Sequence, residues 1–322
     1  MPIGRAKVIS FINLKGGVGK TTSAVNVAAT LAKACKVGEK QKPARVLLID
    51  LDPQSNASLT LLNQTDYNSK KTIVDLFKYE LERNDKDELF DISTIRVNKP
   101  IPELNLDLIP SGLNLFDIQD ELVTYHRYYL SATDILFNAL NNLQRDYSEP
   151  VYTHIIIDCP PSLGLVTLNG LSLSDYYIVP TLLDAYSHWG LSKIIDRIDA
   201  LKRCKASCNA ELLGILYSRV DSRTTQENER WNEDFHQWEK ENSSRFKSFY
   251  SKGFKSIIFD TKISSADIIR KSETQHSPLV AYHPSDPNQK KSKNRYQEEW
   301  VLLSQEIIKR MQSSPKSSEE RG

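Results

Sequence analysis

Short, nearly continuous apolar runs alternate along this chain with longer segments whose apolar residues fall at helical spacing. Val8 to Ile12, Val46 to Ile49, Leu106 to Ile109, Ile155 to Ile157, Tyr177 to Val179, Leu212 to Leu216, Ile257 to Phe259 and Val280 to Tyr282 read as strands. Thr22 to Lys36 reads as a helix, with Ala28, Leu31, Ala32 and Cys35 at i, i+3, i+4 and i+7. Strands separated by helices imply βαβ units. A run such as Ile155-Ile156-Ile157, apolar toward both sides, suits a strand covered on both faces. The pattern predicts an α/β fold with a central, mostly parallel sheet and helices on both faces.

Residues 1–312 read as a single domain carrying insertions near 78–102 and 222–256, with a polar connector from Lys36 to Pro43. Residues 313–322 hold few apolar side chains and are expected to be a disordered tail. Inside the second insertion, Trp231, Phe235 and Trp238 form a helical apolar stripe flanked by acidic residues. Two readings stand: a helix packed on the sheet by its aromatics, or a helix that binds a partner.

Composition changes this picture little. The chain of 322 residues is 39% hydrophobic and 26% charged, with a formal net charge of +1. That balance does not advertise nucleic-acid binding, although a local basic patch can bind phosphate on a neutral protein. No apolar run reaches the length of a membrane-spanning helix, and the start lacks the pattern of a secretory signal. Cys35, Cys159, Cys204 and Cys208 show no paired spacing that suits zinc, so reduced thiols are expected.

The chemistry concentrates in Lys15-Gly16-Gly17-Val18-Gly19-Lys20-Thr21-Thr22, between a strand and a helix. Glycines there let the backbone turn its N–H groups toward an anion, and the following helix start favours negative charge. Lys20 is placed to reach the outer phosphates of a nucleotide, and Thr21 can offer its hydroxyl to Mg²⁺. The plain phosphate-loop pattern wants glycine where Leu14 stands; a second lysine, Lys15, follows it instead. Asp50 and Asp52 end one strand, and Asp158 ends another. Ligands of open parallel sheets bind at such strand ends, where carboxylates can hold Mg²⁺ or a water beside a γ-phosphate.

Together these residues resemble the ParA/MinD/Soj group of deviant Walker-type ATPases, and within it the ParA-type partition ATPases. The resemblance extends through Asp50-Leu51-Asp52-Pro53-Gln54-Ser55-Asn56-Ala57, Leu106-Asp107-Leu108-Ile109-Pro110-Ser111, Asp158-Cys159-Pro160-Pro161-Ser162-Leu163-Gly164 and Asp221-Ser222-Arg223-Thr224. It implies a slow, partner-stimulated ATPase with ATP and Mg²⁺ as cofactors, which forms a nucleotide-sandwich homodimer. By the same resemblance, Lys15 reaches the phosphates of the other subunit, and residues 15–22 cradle the nucleotide. Thr21 serves Mg²⁺, Asp52 positions the attacking water, with metal contact a further possible role, and Asp158 supports Mg²⁺ through water. Asp50 shapes the site. Two departures stand out: Ser55 occupies a position where glycine is usual, and Ile263 to Thr274 keeps only Ser272-Glu273 of the family's pattern.

The resemblance also implies non-specific duplex DNA and a centromere-binding or cargo adaptor as partners, and a cytoplasmic, nucleoid-associated location. Candidate DNA-contacting clusters are Lys193, Arg197, Lys202, Arg203 and Lys205; Arg245 to Lys271; and Lys290, Lys291, Lys293 and Arg295. A MinD-like membrane regulator is the alternative. The apolar residues of Tyr296 to Met311, however, read as a helix docked on the sheet rather than a lipid anchor.

Overall fold

The computed structural model describes residues 6–33, 44–82, 90–124, 132–145, 152–184, 187–204, 208–221, 223 and 225–312. Six strands are β1 (Lys7–Phe11), β2 (Val46–Asp50), β3 (Leu106–Ile109), β4 (His154–Asp158), β5 (Tyr176–Thr181) and β6 (Glu211–Tyr217). They form one sheet in the order β3-β2-β4-β1-β5-β6, and every pairing is parallel. The helices are α1 (Lys20–Ala32), α2 (Asn56–Leu61), α3 (Gln64–Asn68), α4 (Ile73–Glu82), α5 (Leu115–Thr124) and α6 (Ile135–Arg145), then α7 (Leu165–Leu173), α8 (Ser187–Cys204), α9 (Thr225–Glu241), α10 (Lys247–Tyr250), α11 (Asp267–Thr274) and α12 (Pro287–Gln312).

Successive strand residues point to opposite faces, and each face has its own core. Leu47, Ile49, Ile155, Ile157, Tyr177 and Val179 join residues of α4 to α9 on one side. Val46, Leu48, Ile156, Tyr176 and Ile178 join residues of α1, α11 and α12 on the other. The expected α/β architecture is therefore present, with all six strands parallel. The apolar stripe of α9 packs inward: Phe235 is buried and stacks edge-on against Tyr217 and Trp238. Trp300, Leu303, Ile307 and Met311 of α12 are buried in the other core, which docks that helix on the sheet. No helix among the described residues is long and apolar enough to cross a membrane.

Two expected strands are corrected. Ile257 to Phe259 is buried but makes only an isolated bridge to β6, at Ile215 and Ile258. The bridge consists of the Ile215 N–H on the Ile257 carbonyl and the Phe259 N–H on the Ile215 carbonyl, and the buried guanidinium of Arg310 also donates to the carbonyls of Ile257 and Ile258 at 3.3 and 2.6 Å. Val280 to Tyr282 is a turn: the N–H groups of Ala281 and Tyr282 both return to the Pro278 carbonyl. The connector from Lys36 to Pro43, residues 83–89 and the tail from 313 lie outside the described residues.

Candidate nucleotide site

The parallel register sets Asp50 beside Asp158 and Phe11 beside Asp158, so the β1–α1 loop and both acidic strand ends meet at one edge of the sheet. Gly17 and Gly19 carry φ values of 72° and 74°, in the left-handed region where a Cβ is costly. Gly19 caps α1, yet no side chain caps this helix and no acidic residue lies in its first turn. The contrast with α3 is direct: there Asn63 accepts from the Asp66 N–H and Asp66 sits in the first turn. The start of α1 keeps its positive end open to an anion.

Lys20 is buried and donates to the Lys15 carbonyl at 3.1 Å. Burial lowers its pKa, while Asp158 and Asp52 oppose that shift. Asp50 is wholly buried and accepts from the Asp52 N–H at 3.0 Å and from the Ser58 N–H and hydroxyl at 2.9 and 2.7 Å. Burial nevertheless pushes its carboxyl up to about 7. Asp52 accepts from the Gln54 N–H at 2.9 Å and is also raised by burial. Asp158 differs from both. Its two carboxylate oxygens are buried with no hydrogen bond of ordinary geometry among the described residues. Burial and then the neighbouring Asp50 raise its pKa well above the usual carboxylate range, against the pull of the nearby Thr21 and Lys20. A buried carboxylate with no ordinary hydrogen bond is costly, and Asp158 and Asp52 share one lysine here, with the Thr21 hydroxyl beside Asp158. This donor set fits a hard cation with oxygen ligands.

Lys15 is half-exposed and pairs with Asp184 of the same chain, beyond β5. Thr22 donates to Glu273 at 2.6 Å, so the retained Ser-Glu pair of α11 touches the end of the phosphate loop. Ser55 has φ 56°, so the left-handed turn that glycine would ease is kept, and its hydroxyl accepts from Tyr67. Asp221 and Arg223 form an exposed pair, while Ser222 and Thr224 lie outside the described residues. Cys159 and Cys208 are buried free thiols, and burial pushes Cys159 up to about 12.

Several contacts here were not expected from the sequence. Besides Asp184 and Ser58, the end of β6 reaches the phosphate loop: Ser218 donates to the Val18 carbonyl at 2.6 Å and Arg219 to the Gly17 carbonyl at 2.8 Å. The only local signal is position, immediately ahead of Asp221 to Thr224. The basic clusters are less free than their sequence suggests. Arg245 pairs with Asp196 and Asp199, Lys252 with Glu211, and Arg270 with Asp267. Lys293 is mostly buried, Lys202 is half-buried, Arg203, Lys290 and Lys291 are exposed, and Lys205 lies outside the described residues.

A phosphate loop opening a helix, with two acidic strand ends beside it on a parallel sheet, defines a P-loop nucleotide-binding protein. The AAA domain family pattern matches residues 6–212. The chain is 35% identical to the sporulation initiation inhibitor protein Soj of Bacillus subtilis over 220 residues, 68% of this chain and 74% of that protein. It is 36% identical to the chromosome partitioning protein ParA of Myxococcus xanthus over 219 residues, 67% of this chain and 66% of that one. Its fold matches an ATP complex of a Cyanothece McdA variant with a TM-score of 0.67, 18% identity and 96% of each chain covered. The chain belongs to the ParA/MinD/Soj family of P-loop ATPases.

Proposed function

We propose that this chain binds Mg·ATP at residues 15–22, closes face to face with a second copy around two nucleotides, and hydrolyses ATP to move or position DNA. The observation that carries the reading is Asp158, whose buried carboxylate makes no hydrogen bond of ordinary geometry among the described residues and has Thr21, Lys20 and Asp52 as its neighbours. The loop amides and Lys20 bind the phosphates. Thr21 and, through water, Asp158 hold Mg²⁺, with Asp52 a further contact; when bound, the ion offsets charge on the phosphates and on these carboxylates. Asp52 orients the attacking water. Lys15, freed from Asp184, completes the neighbouring subunit's site. An adaptor protein stimulates the slow turnover.

The ATP-bound dimer holds duplex DNA through phosphate contacts that carry no sequence code. Pairing two subunits doubles the contacts in one footprint, which offsets the weak field of a chain with net charge +1. The name of the Myxococcus xanthus relative, chromosome partitioning protein ParA, supports this use. The packing of α12 favours DNA over a membrane, because Trp300, Leu303, Ile307 and Met311 are spent on the core and Leu302 is its one exposed large apolar side chain among the described residues. Gel shifts on two unrelated duplexes, with ADP and with ATP, test the reading together with sizing in Mg·ATP. Wild type should dimerise and bind both duplexes with ATP only. Lys15→Ala should still bind ATP yet remain monomeric and fail to shift DNA. Equal DNA binding with ADP and ATP would overturn the switch.

A further inference from the structure

The end of β6 carries an arrangement that the nucleotide reading leaves unused. Ser218 and Arg219 are consecutive, and they donate to consecutive carbonyls of the phosphate loop, those of Val18 and Gly17. Ser218 is buried, and its hydroxyl also lies 3.2 Å from the Thr181 carbonyl, which anchors it to the end of β5. Arg219 is exposed, but its backbone is not relaxed. Its φ of 56° places a residue with a Cβ in the left-handed region. Hydrogen bonds on both sides impose this conformation: Ser218 N–H donates to the Thr181 carbonyl, and Val220 N–H to the Ile263 carbonyl. Strain of this kind persists where surrounding structure over-determines it, and it collects at functional sites.

In a planar trans peptide, the carbonyl of one residue and the N–H of the next point in opposite directions. Carbonyls of Gly17 and Val18 drawn toward β6 therefore turn the N–H groups of Val18 and Gly19 away from it. We propose that Ser218 and Arg219 are positioning residues that latch the phosphate loop, aiming the Val18 and Gly19 amides at the nucleotide phosphates. The guanidinium adds a second effect. A charged donor on the Gly17 carbonyl polarises that peptide and strengthens the Val18 N–H as a donor. Glu273 extends the latch: it accepts from Thr22 at the loop's end, and burial raises its pKa against the opposing pull of Thr22 and of the Arg219 charge. The strained residue thus ties β6 and α11 to the one segment that must be preformed before an anion arrives.

The latch rests on the ATP-binding reading, and the test separates the two. The full-length chain is titrated with ATP and with ADP in Mg²⁺, as wild type, Arg219→Gly, Arg219→Lys and Ser218→Ala, and each is melted without nucleotide. Glycine accepts a left-handed φ without strain, so Arg219→Gly should melt no lower than wild type while binding both nucleotides about tenfold more weakly, the scale of a lost charged hydrogen bond. Equal loss for ATP and ADP is expected, because the amides serve phosphates that both nucleotides share. Arg219→Lys keeps a charged donor and should stay within about threefold of wild type. Ser218→Ala should weaken both nucleotides in the same direction as Arg219→Gly. Wild-type binding with an unchanged Arg219→Gly overturns the latch alone, as does Arg219→Lys behaving like Arg219→Gly. A wild-type chain that binds neither nucleotide overturns the nucleotide reading and the latch together.

Discussion

Two regions of this molecule bury charge, and they do so in opposite ways. Beside β6, Glu239 receives the Tyr250 hydroxyl, the Ser256 hydroxyl and the Ile257 N–H at 2.7 to 2.8 Å. Close by, Arg310 donates to the carbonyls of Leu213, Ile257 and Ile258 and to Glu306, and its guanidinium lies against the rings of Phe249, Phe254 and Phe259. Both of these buried charged groups have protein partners. At the strand ends, Asp158 has none of ordinary geometry. A satisfied buried charge holds the fold together; an unsatisfied one marks where the protein awaits a ligand. The first region fixes residues 225–256 to the sheet, and the second is the site.

The contrast breaks most visibly through Arg310. Arg310→Ala should lower stability by about 3–5 kcal/mol, because Glu306 and three carbonyls each lose a charged donor in a buried place. Denaturant melts measure it, and the folded fraction should bind ATP as wild type does. Lys20→Ala should do the reverse. Nucleotide affinity should fall by about two orders of magnitude, the effect of losing a partly desolvated charge at the phosphates. Stability without nucleotide should hardly change, since burial already disfavours the charged lysine. Equal thermal losses in both variants would erase the distinction between the two regions.

A smaller effect concerns pH. Folding raises the carboxyl of Asp50 from 3.8 to about 7, so the folded chain holds the extra proton between those values. Its contribution to stability is therefore complete below about pH 4 and is lost as pH rises toward 7. Asp52 and Asp158 shift in the same direction. His154 runs the other way: burial lowers it to about 4, and its contribution is lost as pH falls below its ordinary range. Comparing melts with and without Mg·ATP cancels His154, which lies at the opposite end of β4. The stabilisation by Mg·ATP should grow by about 1–3 kcal/mol between pH 5 and pH 7.5, as the carboxylates give up protons to binding. A gain that is flat with pH would remove these carboxylates from the site.

What the sequence discloses about this site is local. The phosphate loop, the two acidic strand ends and β3 at Leu106 to Ile109 each lie within a few consecutive residues, and the structure places them at one sheet edge or in one strand. The alternation of strands and helices gives the parallel sheet, but not the order of its strands, so the meeting of Asp50 with Asp158 across β2 and β4 was seen only in the structure. Contacts made by distant residues were not legible. Ser218 meets Val18 across 200 positions and Thr22 meets Glu273 across 251, and no spacing rule links such pairs. The apolar run Ile257 to Phe259 misled for a related reason. Its burial reads correctly, but it pairs with β6 only at Ile215, and an arginine near the end of a helix carries no sign that it holds the Ile257 and Ile258 carbonyls. Ser55 shows the limit of a motif: the residue departs from the family pattern while the backbone keeps the left-handed turn.

The central claim is that Asp158 is buried without a hydrogen bond of ordinary geometry because it serves a metal-bound nucleotide. Calorimetric titration of ATP with Mg²⁺ and with chelator, for wild type and Asp158→Asn, tests it directly. Wild type should bind ATP at least about tenfold more tightly with Mg²⁺, and Asp158→Asn should lose that increment while its affinity in chelator stays the same or rises, as one buried negative charge near the phosphates is removed. An increment from Mg²⁺ that is as large in Asp158→Asn as in wild type would contradict the account.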